Sequence, residues 1–356
     1  MEGMNTNIMD INRILDEARN LGCSDLHFTA GLPPVVRLHG SIRKLSGYPD
    51  CTEPIIVNII NQITSIKHKS QISKGLDTDF SYVSTAGFRH RVNVYRQRGY
   101  HAVAIRLLRN DIPTLADLSL PATLGEFAMA PRGLVLVTGP TGSGKSTTLY
   151  ATLGELSKPN VNIVTVEDPV EKKIDGVNQC QINAKAGMTF AAALRSILRQ
   201  DPDIIMVGEI RDGETADIAI RAAITGHFVL STLHTNDAAS TIVRLVDMGV
   251  APYMVASSLV GIIAQRLVKL LCNECKETIT LSDPADLRLV SRDKPVQICK
   301  AHKGGCKKCR GTGYSGRTAI HEIIVTSNDI KELISKGATA EEIGAKATEN
   351  GTLLLR

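Results

Sequence analysis

The sequence predicts an α/β protein in which a small amino-terminal α+β domain precedes a larger part built on a largely parallel sheet. Two observations carry the parallel sheet. Four short apolar runs, GLVLVTG, NIVTVEDP, DIIMVGEI and FVLSTLHT, each end in small or acidic residues, and the segments between them are long enough for helices. The first run leads directly into Gly139-Pro140-Thr141-Gly142-Ser143-Gly144-Lys145-Ser146, and TTLYATLGEL after it can form a helix. A third observation, five cysteines crowded between positions 272 and 309, marks an insertion of a different kind.

From the amino terminus, apolar residues between Ile8 and Asn20 fall at helical spacing (Ile11, Ile14, Leu15, Ala18), with Leu21 just beyond. DLHFT and VVRLHGSIRKL then read as strands around the turn Gly31-Leu32-Pro33-Pro34. Phe88 to Leu108 alternates like a hairpin with Gln97 to Gly99 at its tip. These elements predict a domain over 1–108. The two prolines of NDIPTLADLSLPATL predict a linker over 109–122, which leaves 123–356 for the sheet. Within that part, 270–317 holds the cysteine-rich insertion and 320–356 is expected to be helical.

Composition excludes some classes. At 43% hydrophobic and 22% charged residues the chain can bury ordinary cores. A formal charge of +5 with 4% aromatics and no Trp argues against the basic, aromatic-bearing channel of a nucleic-acid translocase. The start, MEGMNTNIMDINRILDEARN, lacks the apolar run of a secretory signal, so a cytoplasmic protein is expected. Met248 to Gln265 carries no formal charge, but Pro252, Ser257, Ser258, Gly261 and Gln265 interrupt it, and a buried amphipathic helix is expected there rather than a membrane span.

The glycine-rich loop fits phosphate. Glycines let backbone N–H groups turn inward on phosphate oxygens, Lys145 can reach the β and γ phosphates, and Ser146 can ligate magnesium. Gly139 to Thr147 are therefore the candidate nucleotide-binding residues, and a chance match is on the order of one per cent in a chain of this length. Hydrolysis further needs a carboxylate near the metal and a group that orients or deprotonates water. Glu167, Asp168 and Glu171 close one apolar run, while Glu209, Arg211 and Asp212 follow another. Any of these could instead be a turn residue or a helix cap. His234 stands at the carboxyl end of FVLST, where a γ-phosphate sensor would sit, and His227 at its start reads as structural.

Of the eight cysteines, Cys23, Cys51 and Cys180 are scattered like buried small hydrophobes. Cys272/Cys275 and Cys306/Cys309 form two Cys-x-x-Cys pairs, and two such knuckles suit one tetrahedral zinc, with Cys299 outside. Four reduced cysteines without metal are the plain alternative.

GPTGSGKSTTLYA, VEDPVE, LRSILRQDPDIIMVGEIRDGETADIAIRAAITGH and STLHTNDA together resemble the Walker A, Asp-box, Walker B and His-box motifs of type II/IV secretion ATPases. SDLHFTAGLPPVVRLHG and FRHRVNVYRQRG resemble the amino-terminal domain of pilus retraction ATPases. QRLVKLLCNEC with GCKKCRGTGYSGRTAIHEI is similar to the tetracysteine region of pilus assembly and type II secretion ATPases, which retraction motors usually lack. The resemblance implies a RecA-like P-loop NTPase motor domain behind a PAS-like domain, assembled as a homohexamer and using ATP, Mg2+ and Zn2+. It implies that the amino-terminal domain closes on a neighbour's ATP site, and Arg91 and Arg106 match the positions of trans-acting arginines, with Arg89, Arg96 and Arg98 as alternatives. It further implies Glu209 as leading catalytic carboxylate with Glu167 beside it in the metal and water network, their roles being open to exchange. The implied partner is an inner-membrane platform protein, with no nucleic acid and no transmembrane segment, at the inner face of the plasma membrane. The chain stops at GTLLLR where relatives usually continue, so truncation or a short variant is expected. A conjugation-type motor and a nucleotide-binding regulator without turnover are the rival readings.

Overall fold

The computed structural model describes residues 9–38, 41–107, 112–289 and 294–355. The expected boundary between 108 and 109, and the residues before 9, lie outside the described residues. Contacts divide the chain into two compact units, 1–111 with 171–173, and 112–170 with 174–356.

The first unit contains α1 (Ile11–Asn20), β1 (Cys23–Phe28), β2 (Val35–Leu38), β3 (Ser41–Lys44), α2 (Glu53–Ile63), α3 (Ile66–Ser73), β4 (Thr78–Val83), β5 (Arg89–Gln97) and β6 (Tyr100–Leu107). Its six strands run in the order β3-β2-β1-β6-β5-β4, each antiparallel to its neighbours. One face is apolar because Leu26 and Phe28, Val92 and Val94, and Val103 and Ile105 recur at every second position. Helices α1 and α2 bury Ile11, Ile14, Leu15, Ile56, Ile59 and Ile63 in the same core. Asp10 caps α1 by accepting from the Asn12 N–H at 2.9 Å.

The second unit begins with α4 (Ala122–Ala128), β7 (Gly133–Thr138), α5 (Lys145–Leu156), β8 (Ile163–Glu167), β9 (Val177–Gln181), α6 (Phe190–Ile197), β10 (Ile204–Val207), α7 (Gly213–Ile224), β11 (Phe228–Leu233) and α8 (Ala238–Asp247). It continues with α9 (Pro252–Ser258), β12 (Leu259–Leu271), β13 (Glu277–Leu281), α10 (Pro284–Leu289), β14 (Val296–Lys300), β15 (Tyr314–Val325), α11 (Asn328–Ser335) and α12 (Ala340–Glu349). Seven strands form one sheet, β15-β12-β7-β11-β10-β8-β9, parallel except where β15 runs against β12. The central strands are buried end to end because both faces are covered. Val135 and Val137 meet Leu149 and Leu153 of α5 on one side, and Leu134 and Leu136 face the core shared with α7 and α9 on the other. This strand order sets the carboxyl ends of β7, β11 and β10 side by side.

Two expectations change. Met248 to Gln265 is not one amphipathic helix. Only Pro252–Ser258 is helical, and from Leu259 the chain enters β12, pairing with β7 on one side and β15 on the other. Burial on both faces removes the alternation that marks a strand, so its apolar run matched a helix equally well. Nor is 320–356 wholly helical, because residues through Val325 belong to β15 before α11 and α12 begin. The insertion's β13 and β14 form a separate two-stranded sheet.

Candidate active site

The chain leaves the buried β7 at Thr138 and turns through residues 139–144 into α5. Gly139 and Gly144 adopt φ of 141° and 91°, which favour glycine. They also leave no room for a side chain. A Cβ at Gly139 would stand 2.3 Å from the Gln265 carbonyl oxygen, and one at Gly144 would stand 2.8 Å from the Gln265 Nε2. No side chain caps the start of α5, so its first N–H groups remain turned to the loop, the arrangement that binds anions at helix N-termini. Lys145 is buried, and its Nζ donates to the Gly139 carbonyl at 2.7 Å and the Pro140 carbonyl at 3.1 Å. Burial lowers its pKa, and the negative charge of Glu209 raises it. Ser146 and Thr141 are exposed beside it. Glycines at open φ, an uncapped helix start and a buried lysine fit a phosphate-bearing nucleotide.

Glu209 follows β10 and is the point on which the basic groups converge. Its side chain is 18% exposed, Arg211 donates to Oε1 at 2.5 Å, and His234 Nε2 lies 3.6 Å from Oε2. The hydrogen bond to Glu209 raises the Arg211 pKa, and the charges of Glu209 and Asp168 add to it. His234 stands just past β11, the strand between β10 and β7, which is why it reaches Glu209. His227 instead has Nδ1 at 3.0 Å from the Ala222 carbonyl at the end of α7.

Glu167 is differently surrounded. At the end of β8 it is 3% exposed, with the Tyr150 hydroxyl donating to Oε2, and Thr165 Oγ1 (2.5 Å) and Gln179 Nε2 (3.1 Å) donating to Oε1. Its oxygens are served by these three side chains, none of them from the glycine-rich loop.

The two arginines of the first unit face each other. Arg91 and Arg106 are register partners across β5 and β6. Like charges directly opposite repel. Each leans on a carboxylate, Arg91 Nε on Asp79 at 3.8 Å and Arg106 Nε on Asp25 at 3.2 Å. Arg98 occupies the hairpin tip at φ 52°.

The four paired cysteines come together as their spacing requires. Their sulfurs lie within 4.8 Å of one another, Cys272 to Cys306 at 3.9 Å and Cys275 to Cys309 at 3.7 Å. A tetrahedron with metal–sulfur bonds of about 2.3 Å has edges of about 3.8 Å. The backbone N–H groups of Cys306 and Gly313 donate to Cys309 Sγ at 3.0 and 3.2 Å and lower its pKa, whereas burial and the neighbouring sulfurs raise that of Cys275. The geometry and donor set fit zinc. Cys299 lies apart on β14, exposed.

Gln265 figures in the sequence only as an interruption of an apolar run and as the first residue of QRLVKLLCNEC, with no site role. It is 2% exposed on β12, its Nε2 donates to the Ser143 carbonyl at 2.8 Å, and its Oε1 accepts from Thr148 Oγ1 at 2.8 Å. A lone amide inside an otherwise apolar stretch was the available signal, because burial obliges it to find partners.

Residues 84–356 match the family described as Type II/IV secretion system protein. The chain belongs to that family. Among its relatives, the type IV pilus assembly ATPase PilB of Thermus thermophilus is 40% identical over 367 residues, covering 97% of this chain and 40% of PilB. The type II secretion system protein E of Pseudomonas aeruginosa is 40% identical over 353 residues, covering 96% of this chain and 70% of that protein. The chain therefore spans well under half of PilB. The crystal structure of the pilus retraction motor PilT with bound ADP superposes with a TM-score of 0.74 at 33% identity, covering 98% of this chain and 95% of that one. Like PilT, this family member has the α/β fold of RecA-like ATPases. No helix among its described residues is long and apolar enough to cross a membrane.

Proposed function

We propose that this chain is an ATP-hydrolysing motor subunit that drives type IV pilus assembly or retraction, or type II secretion, as a homohexamer. The observation that carries the reading is Glu209, held by Arg211 and His234 and sensed electrostatically by the buried Lys145 of the glycine-rich loop. Bound Mg-ATP supplies the phosphoanhydride bond to be cleaved and the cation that neutralises its charge. Lys145 exchanges the Gly139 and Pro140 carbonyls for the β and γ phosphates, and backbone N–H groups over residues 139 to 147 hold the phosphate oxygens. The Ser146 hydroxyl, exposed beside Lys145, would hold the magnesium, which would supply charge neutralisation. Glu209 orients the attacking water and accepts its proton, with Arg211 and His234 fixing the carboxylate. The internal partners of Glu167 support a lesser part for it, ordering the site through Tyr150 of α5.

Arg91 and Arg106 reach a neighbour's phosphates across the hexamer interface, and the amino-terminal unit acts as the PAS-like closing domain over 1–108, joined through 109–122 to the motor. Four cysteines hold one structural zinc. The motor works in the cytoplasm at the inner face of the plasma membrane, against an inner-membrane platform protein and without nucleic acid.

Lys145→Ala should lose turnover and most ATP affinity, because no other side chain of the loop brings a point charge to the β and γ phosphates. Glu209→Gln should keep nucleotide binding while turnover falls about 100-fold or more. An ATPase assay paired with nucleotide binding tests both, run with and without single-stranded DNA. Normal hydrolysis by Glu209→Gln would overturn the assignment, and strong stimulation by DNA would favour a nucleic-acid translocase.

A further inference from the structure

We infer that Gln265, on β12 and outside the four nucleotide motifs, is the positioning residue that sets the glycine-rich loop for phosphate. The inference rests on the nucleotide reading of that loop. Three contacts from one residue converge on it. The Gln265 Nε2 donates to the Ser143 carbonyl, its Oε1 accepts from Thr148 on the first turn of α5, and its backbone oxygen lies where a Cβ of Gly139 would be.

The consequence follows from the planarity of the peptide. The Ser143–Gly144 bond is trans, so its carbonyl and the following N–H point in opposite directions. Holding the Ser143 carbonyl against β12 turns the Gly144 N–H away from β12. The Ser143 carbonyl can only accept, so the amide nitrogen must face it, and the amide oxygen is left to accept from the Thr148 hydroxyl. All of this is buried, where an amide that loses its partners costs far more than one at the surface. Gly139 and Gly144 are glycines partly on account of Gln265, because it fills the space their side chains would take.

Equilibrium binding of a fluorescent ADP analogue with magnesium, and steady-state ATPase kinetics, test the inference on the full chain. Gln265→Met keeps the volume and removes both hydrogen bonds. It should weaken ADP binding about tenfold, raising KM more than it lowers kcat. Thr148→Val should weaken binding less, and the double variant should be no worse than Gln265→Met alone, since both act through one amide. Gln265→Glu keeps an acceptor for Thr148 and loses the donor to Ser143, so it should resemble Gln265→Met even if the latter folds poorly. Wild-type failure to bind ADP would sink the nucleotide reading itself. Wild-type binding with unchanged ADP affinity in folded Gln265→Met or Gln265→Glu, or full additivity with Thr148→Val, would sink the role of Gln265 alone.

Discussion

His90 sits in the interior of the amino-terminal unit, fully buried, with neither ring nitrogen hydrogen-bonded among the described residues. Burial, aided by the nearby Arg19 charge, pushes its pKa down from 6.5 to about 4, and Tyr82 stacks beside it. The unfolded chain therefore takes up this proton first as pH falls. The associated stability is complete above pH 6.5 and is lost as pH drops towards 4, by at most about 3 kcal/mol. His90→Phe should flatten that part of the pH dependence when unfolding midpoints are compared between pH 7.5 and 4.5. Single residues were legible unevenly. Lys145 and Ser146 are fixed by spacing within one loop, and Glu209 and His234 by their places at strand ends. Gln265 depends on partners 117 and 122 positions away, and Glu167 on Tyr150 17 positions away, which no local pattern encodes.

Strands and helices in the second unit were legible wherever one segment alternates with the next in composition. The misreading of β12 has a physical cause, since a strand covered on both faces loses its period of two. Tight packing there gives a direct test. A Cβ on Gly261 would stand 2.2 Å from the Phe127 ring of α4, so Gly261→Ala should destabilise the second unit by about 1–3 kcal/mol in chemical denaturation. The insertion gives another. Metal analysis should find one zinc per chain, retained in Cys299→Ser and lost in Cys306→Ser. Hydrogen exchange should then rise across 270–317 more than in the glycine-rich loop, because metal binding there is coupled to local folding. Metal-free protein with an equally protected insertion would refute the site.

For the molecule as a whole, the sequence predicts a small α+β part ahead of a parallel-sheet part, but it does not say whether or how copies meet. The paired arrangement of Arg91 and Arg106 bears on that question, because both carboxylate partners lie in the same unit and leave the guanidinium groups exposed. Mixing Arg106→Ala subunits with Lys145→Ala subunits should restore part of the ATPase activity that each lacks alone, at interfaces joining one intact loop to one intact arginine. A monomer with full activity would exclude assembly-dependent catalysis. The thirteen residues of β12 add a mechanical point. Its pairing with β7 ends at Ala264, whereas its pairing with β15 continues to Leu271, so the outer part is a two-stranded cantilever rooted beside Gln265. Seven residues of overhang, 265 to 271, at about 3.3 Å each give an arm of about 23 Å with the cysteine knuckle at its tip. Arg266 of this arm donates to the Asn236 carbonyl and Leu267 lies beside Gly144, so a pull on the knuckle should be felt at the glycine-rich loop as a change in ADP affinity.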